Sequence, residues 1–477
     1  MRPNLPMLWL AVICWALPRT LSAQPLPFGI SLPPSLNFAT APNPVGSGAR
    51  AVGKGTAFIG VADDATAASH NPGGLVQLER PEVSIVGSFF VRHETQDVTR
   101  PETVVQHQTL DSLDLNYLSA AYPFQLWQRN LVVSLNVQRL FDLQGKADVA
   151  SRFLTLDGIQ RVRSRQDGGL FTISPAAAVQ LTPALSVGAA FNIWTDAFGH
   201  QGWDQKVAVQ GEGRVVSGNR IVPFVFDGRI TEEFTFEGFN VTVGFLWRIN
   251  ETFSLGGVVR TPFTADLTHR HGSALAVTRS VPRVEGEASA PAASSLEGMI
   301  PDIVEGLKPG ESFTTGLSFR ETLAMDMAVA YGLGLSARLS DRLTLSGDVS
   351  RVHWSAFRLE ESRQAGVLLV ENGAPSGKGR AVLNGQAEDT TSLRVGAEYL
   401  WIRPNVAIPF RAGVFYDPEP GAGRLDNFFG FSLGTGLARK RVILDIAYEF
   451  RTGTVHSEAT NTSVQQHKIL TSVIYHF

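Results

Sequence analysis

Several short spacings in this chain have the outline of known chemistry. Gly48-x-x-x-x-Gly53-Lys54 resembles a phosphate-cradling loop, and Gly430-Phe431-Ser432-Leu433-Gly434 has the glycines of a nucleophile elbow. His269-x-His271 would set two imidazoles on one face of a strand, and Asp63-Asp64 pairs two carboxylates. Each lacks what the chemistry requires. Gly55 stands where a phosphate loop needs the Ser or Thr that holds Mg²⁺, and no apolar strand precedes the motif. An elbow needs a strained strand-to-helix turn, whereas these glycines alternate along a segment that continues through Gly436. With no cysteine nearby and no obvious third ligand, the histidine pair reads as a solvated loop pair. Asp63-Asp64 reads as a capping or anchoring device. The expectation is a protein that is not an enzyme, with no cofactor and no metal site.

The elements that must position these residues are strands. From Pro81 onward apolar residues alternate with small or polar ones, with turn residues between the segments. In Thr322–Leu335 one parity reads Leu323, Met325, Met327, Val329, Tyr331, Leu333, Leu335, and the other holds Asp326 among alanines and glycines. In Arg441–Arg451 the apolar parity is Val442, Leu444, Ile446, Tyr448, Phe450. The pattern recurs near 82–92, 112–122, 130–141, 170–182, 184–195, 234–249, 252–261, 342–353, 389–401, 407–417, 428–438 and 465–477. That makes about fourteen segments, many near the ~9–11 residues of a tilted membrane strand. Long connections (93–111, 143–168, 197–231, 262–320, 354–388, 418–427) alternate with short ones (123–128, Thr182-Pro183, Asn250-Glu251, Leu339–Asp341, 402–406, Arg439-Lys440). Such asymmetry separates a transmembrane barrel from a soluble sandwich. The fold class read from this is all-β: an antiparallel transmembrane barrel of about fourteen strands.

A barrel in lipid puts its greasy parity outward, because a basic side chain there costs ~2–4 kcal/mol at the midplane. Parity then places Arg260, Asp326, Asp348, Arg394, Glu398, Arg411, Asp445 and Glu449 in the lumen, where buried charges need partners. Trp194, Trp247, Trp354, Trp401 and Tyr475 lie at segment ends, where an interfacial girdle would sit. Composition agrees. The 477 residues carry a net charge of −3, which gives no sign of nucleic acid, and 46 glycines with only 18% charged residues suit strands and turns. Residues 1–23 read as an export signal, with an h-region Met7–Leu17 and a small residue, Ala23, before the scissile bond. The single cysteine, Cys14, lies in that h-region, so the mature chain is expected to lack thiols.

Residues 24–80 do not alternate and are too few for a core of their own, but could bury themselves inside a barrel spanning 81–477. Alanine-rich 62–69 suits one or two helical turns, ended by Asn71-Pro72-Gly73-Gly74. The run from Ala49 through Asp63-Asp64-Ala65-Thr66-Ala67 to Asn71-Pro72-Gly73-Gly74-Leu75 resembles the plug of the FadL family of outer-membrane transporters for long-chain fatty acids and aromatic hydrocarbons. Val259–Phe263, Asp348–Phe357 and Pro409–Asp417 are similar to later blocks of the same family. The terminal Tyr475-His476-Phe477 resembles the strand read by barrel assembly machinery.

The resemblance implies passive uptake: a hydrophobic small molecule lands on an apolar groove, reaches a site against the plug, and leaves sideways after the plug shifts. The substrate, outer-membrane lipid and the assembly machinery are the partners implied, with the barrel a monomer. Candidate substrate contacts are Phe58 and Ile59 on the plug, and Leu296, Met299, Ile300 and Ile303 at near-helical spacing in 295–308. That segment would offer a landing groove or simply pack on the rim. Arg394 and Arg411 would pair with lumenal acids or bind a substrate carboxylate. Pro175, which removes one ladder hydrogen bond, would open the wall near the third and fourth strands or mark a local bulge. The alternative function is a non-transporting FadL-like barrel that partners protein secretion or surface assembly.

Overall fold

The computed structural model describes residues 46–477, apart from 99–103, 154–157, 197–198, 200, 218–219, 281–303, 305, 361–386, 422–423 and 457–459. Two short helices, α1 (Ala49–Gly53) and α2 (Ala67–His70), and a 3₁₀ turn (Pro72–Gln77) precede the strands. In chain order these are β1 (Glu82–Val98), β2 (Val104–Leu126), β3 (Arg129–Asp142), β4 (Gly145–Phe153), β5 (Gly158–Gln180), β6 (Leu185–Trp194), β7 (Gly202–Ser217), β8 (Arg220–Arg248), β9 (Phe253–Arg260) and β10 (Phe263–Arg279). Then come β11 (Ser312–Met327), β12 (Ala330–Arg338), β13 (Leu343–Val352), β14 (Arg358–Leu359), β15 (Thr390–Arg403), β16 (Val406–Tyr416), β17 (Glu419–Gly421), β18 (Arg424–Asp426), β19 (Phe428–Arg439), β20 (Val442–His456) and β21 (Thr460–His476).

Fourteen of them close a ring of antiparallel pairs, β1-β2-β3-β5-β6-β8-β9-β12-β13-β15-β16-β19-β20-β21, with β21 returning to β1. Closure removes every sheet edge, which a strand in lipid cannot leave unpaired. The turns at one end are tight: Trp127-Gln128 joins β2 to β3 with both residues in the left-handed region, φ 50° and 60°. The outward parity is apolar around the ring, with Ile85, Leu135, Val243, Leu333, Val395 and Leu433 all exposed. Trp247, Trp401 and Tyr475 sit on this face close to the tight turns. Trp194 and Trp354 do not: both point inward and are buried, so they are core rather than girdle residues.

At the opposite end the strands outgrow the ring into a crown. β8 runs for 29 residues, pairing with β6 and β9 in its lower part and with β7 and β10 above. Segments 197–231 and 262–320, expected as loops, therefore contain long hairpins. Sequence parity obscured this because the chain changes face partway. Across Thr261-Pro262 and across Ala328-Val329 a strand ends and a new one starts on the opposite parity. Leu323, Met325 and Met327 of β11 are buried inside, whereas Tyr331, Leu333 and Leu335 of β12 are exposed outside. Asp326 consequently faces outward, where it accepts a hydrogen bond from Thr264 Oγ1 at 2.6 Å; it is not a lumenal charge.

In the crown the inner face is greasy and the outer face polar, the reverse of the belt. Phe141, Trp203, Phe234, Phe236, Leu267 and Met325 belong to one large buried cluster there. Residues 46–80 lie within the ring, α1 packing on β16, β19, β20 and β21, and the 3₁₀ turn on β3, β5, β6, β8 and β9 across the lumen.

Candidate functional site

The plug is held by its own polar groups and by glycines in the wall. Asp64 accepts from the Thr66 N–H and hydroxyl at 2.8 and 2.6 Å, closing the turn that leads into α2. Asn71 caps the 3₁₀ turn by accepting from Gly73 N, while its amide donates to Ile59 O and to the wall carbonyl of Phe245 at 2.9 and 2.8 Å. Pro72 follows in the first helical position, where its missing N–H costs nothing. Small residues allow the close fit: a Cβ on Gly413 of β16 would meet Gly55 N at 2.1 Å.

Charges tie plug to wall. Arg50 donates to Asp63 at 2.7 and 3.1 Å and to Glu398 of β15 at 2.8 and 3.0 Å. Glu398 also accepts from Arg411 of β16, which reaches Asp445 of β20, both at 2.6 Å. The chain Asp63–Arg50–Glu398–Arg411–Asp445 thus alternates in sign, the arrangement that lets charges persist in a poorly hydrated interior. Asp348 accepts from the N–H groups of Phe58 and Ile59 at 2.7 and 2.9 Å. Ser432, the serine of the elbow-like motif, accepts from Gly55 N at 2.7 Å and so serves as a plug contact. Lys54, of the phosphate-loop-like motif, is fully buried with its ammonium 4.7 Å from the Phe58 ring centroid and no hydrogen-bond partner among the described residues. Burial pushes that plug ammonium down to about 8. The buried His70 imidazole is pushed down to about 3 for the same reason, so it is neutral, with Nε2–H donating to Ser47 O at 2.8 Å.

Two cavities of about 60 Å³ each lie against the plug, one bordered by Thr56, Phe90, Arg139, Arg394 and Arg451, the other by Ile59, His70, Arg260, Tyr331 and Arg394. Each has room for a few waters, well short of the ~150 Å³ that takes up a benzene. A wider vestibule of about 530 Å³, lined by Gln77, Glu79, Phe124, Gln180 and Arg248, lies at the tight-turn end. The plug fills the lumen between the vestibule and the apolar crown.

The expected site residues distribute over this frame. Phe58 is buried in the plug, and Ile59 faces the second cavity. Arg394 borders both cavities, but its guanidinium is engaged by Asp417 at 3.1 Å and Gly55 O at 3.4 Å. Arg411 is buried between its two acids, away from both. Leu296, Met299, Ile300 and Ile303 lie outside the described residues; their neighbour Val304 is buried in a second crown cluster with Val207, Phe226 and Val277. Pro175 pairs with Leu135 of β3 without interruption. On its other side the β5–β6 ladder skips Ser174 and Pro175, resuming at Ala176↔Ala190, and Ser174 Oγ bridges to Asn192 Oδ1 at 2.9 Å. The irregularity beside Pro175 thus lies between the fourth and fifth ring strands; the β3–β5 ladder, between the third and fourth, shifts register at Arg139–Phe141, and the β16–β19 ladder skips Ile408 and Pro409.

The histidine pair is misplaced by the sequence reading. His269 and His271 are not in a solvated loop: both lie on the inner face of β10, buried, and Glu232 of β8 supplies the third ligand atom that seemed missing. The sequence shows that Ala265, Leu267, His269 and His271 share one parity, but which way that parity faces depends on whether the strand lies inside or beyond the lipid belt.

The fold is FadL-like. It aligns with the CymD monoaromatic hydrocarbon channel over 91% of this chain and 98% of that one, with a TM-score of 0.51 and 15% identity. A Pseudomonas aeruginosa FadL homologue aligns over 93% and 100%, with a TM-score of 0.50 and 12% identity. The P. putida toluene transporter TodX aligns over 91% and 99%, with a TM-score of 0.50 and 14% identity. At sequence level no family model and no curated protein matches the chain.

Proposed function

We propose that this barrel sits in the outer membrane and admits hydrophobic small molecules, long-chain fatty acids or aromatic hydrocarbons, down their gradient. The observation that carries the reading is the inward-facing apolar crown cluster seated over a plug that fills a lipid-belted barrel. A solute leaving water for that crown gains ~0.8 kcal/mol per methylene buried, so hydrophobic compounds concentrate there without any energy source. The named relatives of the fold, two aromatic hydrocarbon channels and a FadL homologue, support the same substrate class.

Cavities of about 60 Å³ cannot pass such a solute, so passage requires the plug to shift. The plug is bonded to the wall at both ends, and movement that breaks the Arg50–Glu398 pair or the Asn71–Phe245 bond would join the cavities to the vestibule. We place the sideways exit at the β5–β6 gap beside Pro175. The test is uptake of labelled oleate and of labelled toluene by a Gram-negative host that lacks its own channel of this kind, with and without this protein. Faster uptake of at least one is expected; two unchanged rates in cells with a correctly folded barrel would refute transport of these classes.

A further inference from the structure

The crown holds a cluster that hydrophobic transport does not use. His269 and His271 occupy alternate positions on β10, and the strand register sets Glu232 of β8 opposite His271 and Glu321 of β11 opposite His269. Glu232 reaches both imidazoles, its Oε2 lying 2.8 Å from His269 Nε2 and its Oε1 2.8 Å from His271 Nδ1. One ligand atom from each of Glu232, His269 and His271 lies within 4.8 Å of the other two, and all three residues are buried.

We infer that Glu232, His269 and His271 bind one divalent transition-metal ion, with zinc the best match. Two imidazoles and a carboxylate are the donor set that zinc takes at bonds of ~2.0–2.2 Å, with a fourth position left for water or another ligand. Calcium and magnesium need mostly oxygen donors, so nitrogen in two of three places disfavours them. Ligand atoms around a tetrahedral ion of that size stand ~3.3 Å apart, so the 2.8 Å oxygen–nitrogen pairs would lengthen and the most widely spaced ligand atoms, within 4.8 Å of one another, would draw together.

Two further features distinguish the cluster from a chance meeting of polar side chains. First, Glu321 Oε1 sits 3.0 Å from His269 Nδ1. An imidazole that donates Nδ1–H to a carboxylate presents the lone pair of Nε2, which is how outer carboxylates orient metal-binding histidines. Second, the rings are clamped. Phe234 stacks on His269 with centroids 4.3 Å apart and planes at 8°, and Phe319 stacks on His271 at 4.8 Å and 21°. The ion would join β8 to β10 in the stretch of crown between the two apolar clusters, one containing Leu267 and the other Val277. The inference stands whether or not the barrel passes a solute.

The experiment uses the full mature protein without a histidine tag, purified in detergent and stripped with EDTA. Zn²⁺ is titrated by calorimetry, and Co²⁺ is added separately as a coloured substitute. The site predicts one equivalent of Zn²⁺ per chain, a raised Tm in the zinc-loaded protein, and visible Co²⁺ bands of low coordination number. A His269→Gln/His271→Asn variant should lose the equivalent. Glu321→Gln, which leaves the ligands in place, should bind ~10–100-fold more weakly. Should the double variant fail to fold, as judged by heat-modifiable gel mobility, the Co²⁺ spectrum of the natural protein decides alone. Absence of saturable binding, equal affinity in the double variant, or only the pale spectrum of hydrated Co²⁺ would reduce the cluster to a hydrogen-bonded network and overturn the inference.

Discussion

Lys54 carries an ammonium into the barrel interior and finds there an aromatic face and, among the described residues, no hydrogen-bond acceptor. A buried cation without acceptors is costly, and the downward displacement to about 8 expresses that cost. The direction of its pH dependence follows. Between about 8 and the ordinary 10.5 the unfolded chain holds this proton and the folded chain releases it, so stability rises with pH through that window and is level below it. Two and a half pKa units amount to ~3 kcal/mol at most, at 1.36 kcal/mol per unit. Urea unfolding of the reconstituted barrel at pH 7.5 and at a pH of about 10.5 should therefore show the natural protein gaining stability relative to a Lys54→Met variant. At neutral pH the variant should be as stable as the natural protein or more so, because Met keeps the contact with Phe58 and carries no charge. A parallel pH response in the two proteins would mean that the ammonium is solvated after all. Arg50 and Arg411, by contrast, are each held between two acids, and their loss would leave Glu398 short of a partner.

Among the strands, the decisive element is β5. Pro175 cannot donate to β6, and the Ser174–Asn192 side-chain bond bridges the interrupted ladder there. If solute leaves the lumen at this place, Pro175→Val should restore a backbone donor, extend the ladder and slow uptake several-fold while the barrel still folds; unchanged uptake moves the exit elsewhere. The same scale shows what the sequence could and could not convey. Within the belt, lipid enforces one rule along each strand, and the outward parity of Ile85, Leu135, Val395 and Leu433 was legible for that reason. The tight turns were legible too, down to the Lys440 turn between β19 and β20. Beyond the belt water replaces lipid, so the greasy face turns inward, and Ala328-Val329 and Thr261-Pro262 are where the parity changes. Reading one parity through such a break misplaces Asp326 and takes long hairpins for loops, whereas the two inward tryptophans are assigned to a girdle by their position at segment ends alone, against the buried parity of Trp194 in β6. The site suffered more than the fold, because Glu232 and His271 are brought together by cross-strand register, not by spacing along the chain.

At the scale of the whole molecule, fourteen strands enclose more space than side chains can fill. Barrels of about eight strands pack their own interior, and those of about sixteen leave an aqueous channel. The plug is the answer to that surplus, and it fits because glycines on both sides let backbone approach backbone. At Gly413 the contact is with Gly55, whose φ of +64° lies in the left-handed region and whose N–H is bonded to Ser432. A side chain at 413 cannot be accommodated by the wall, since β16 is paired on both edges. The plug must give way instead, losing the Gly55–Ser432 bond and opening a path past α1. A Gly413→Val variant should accordingly fold into a heat-modifiable barrel and pass steady ionic current in a planar bilayer, whereas the natural protein stays silent. Silence from a folded Gly413→Val barrel would mean that residues 46–80 can be displaced locally without unsealing the lumen. The seal would then have to lie in the apolar crown, and opening for a hydrophobic solute would begin there, not at the plug.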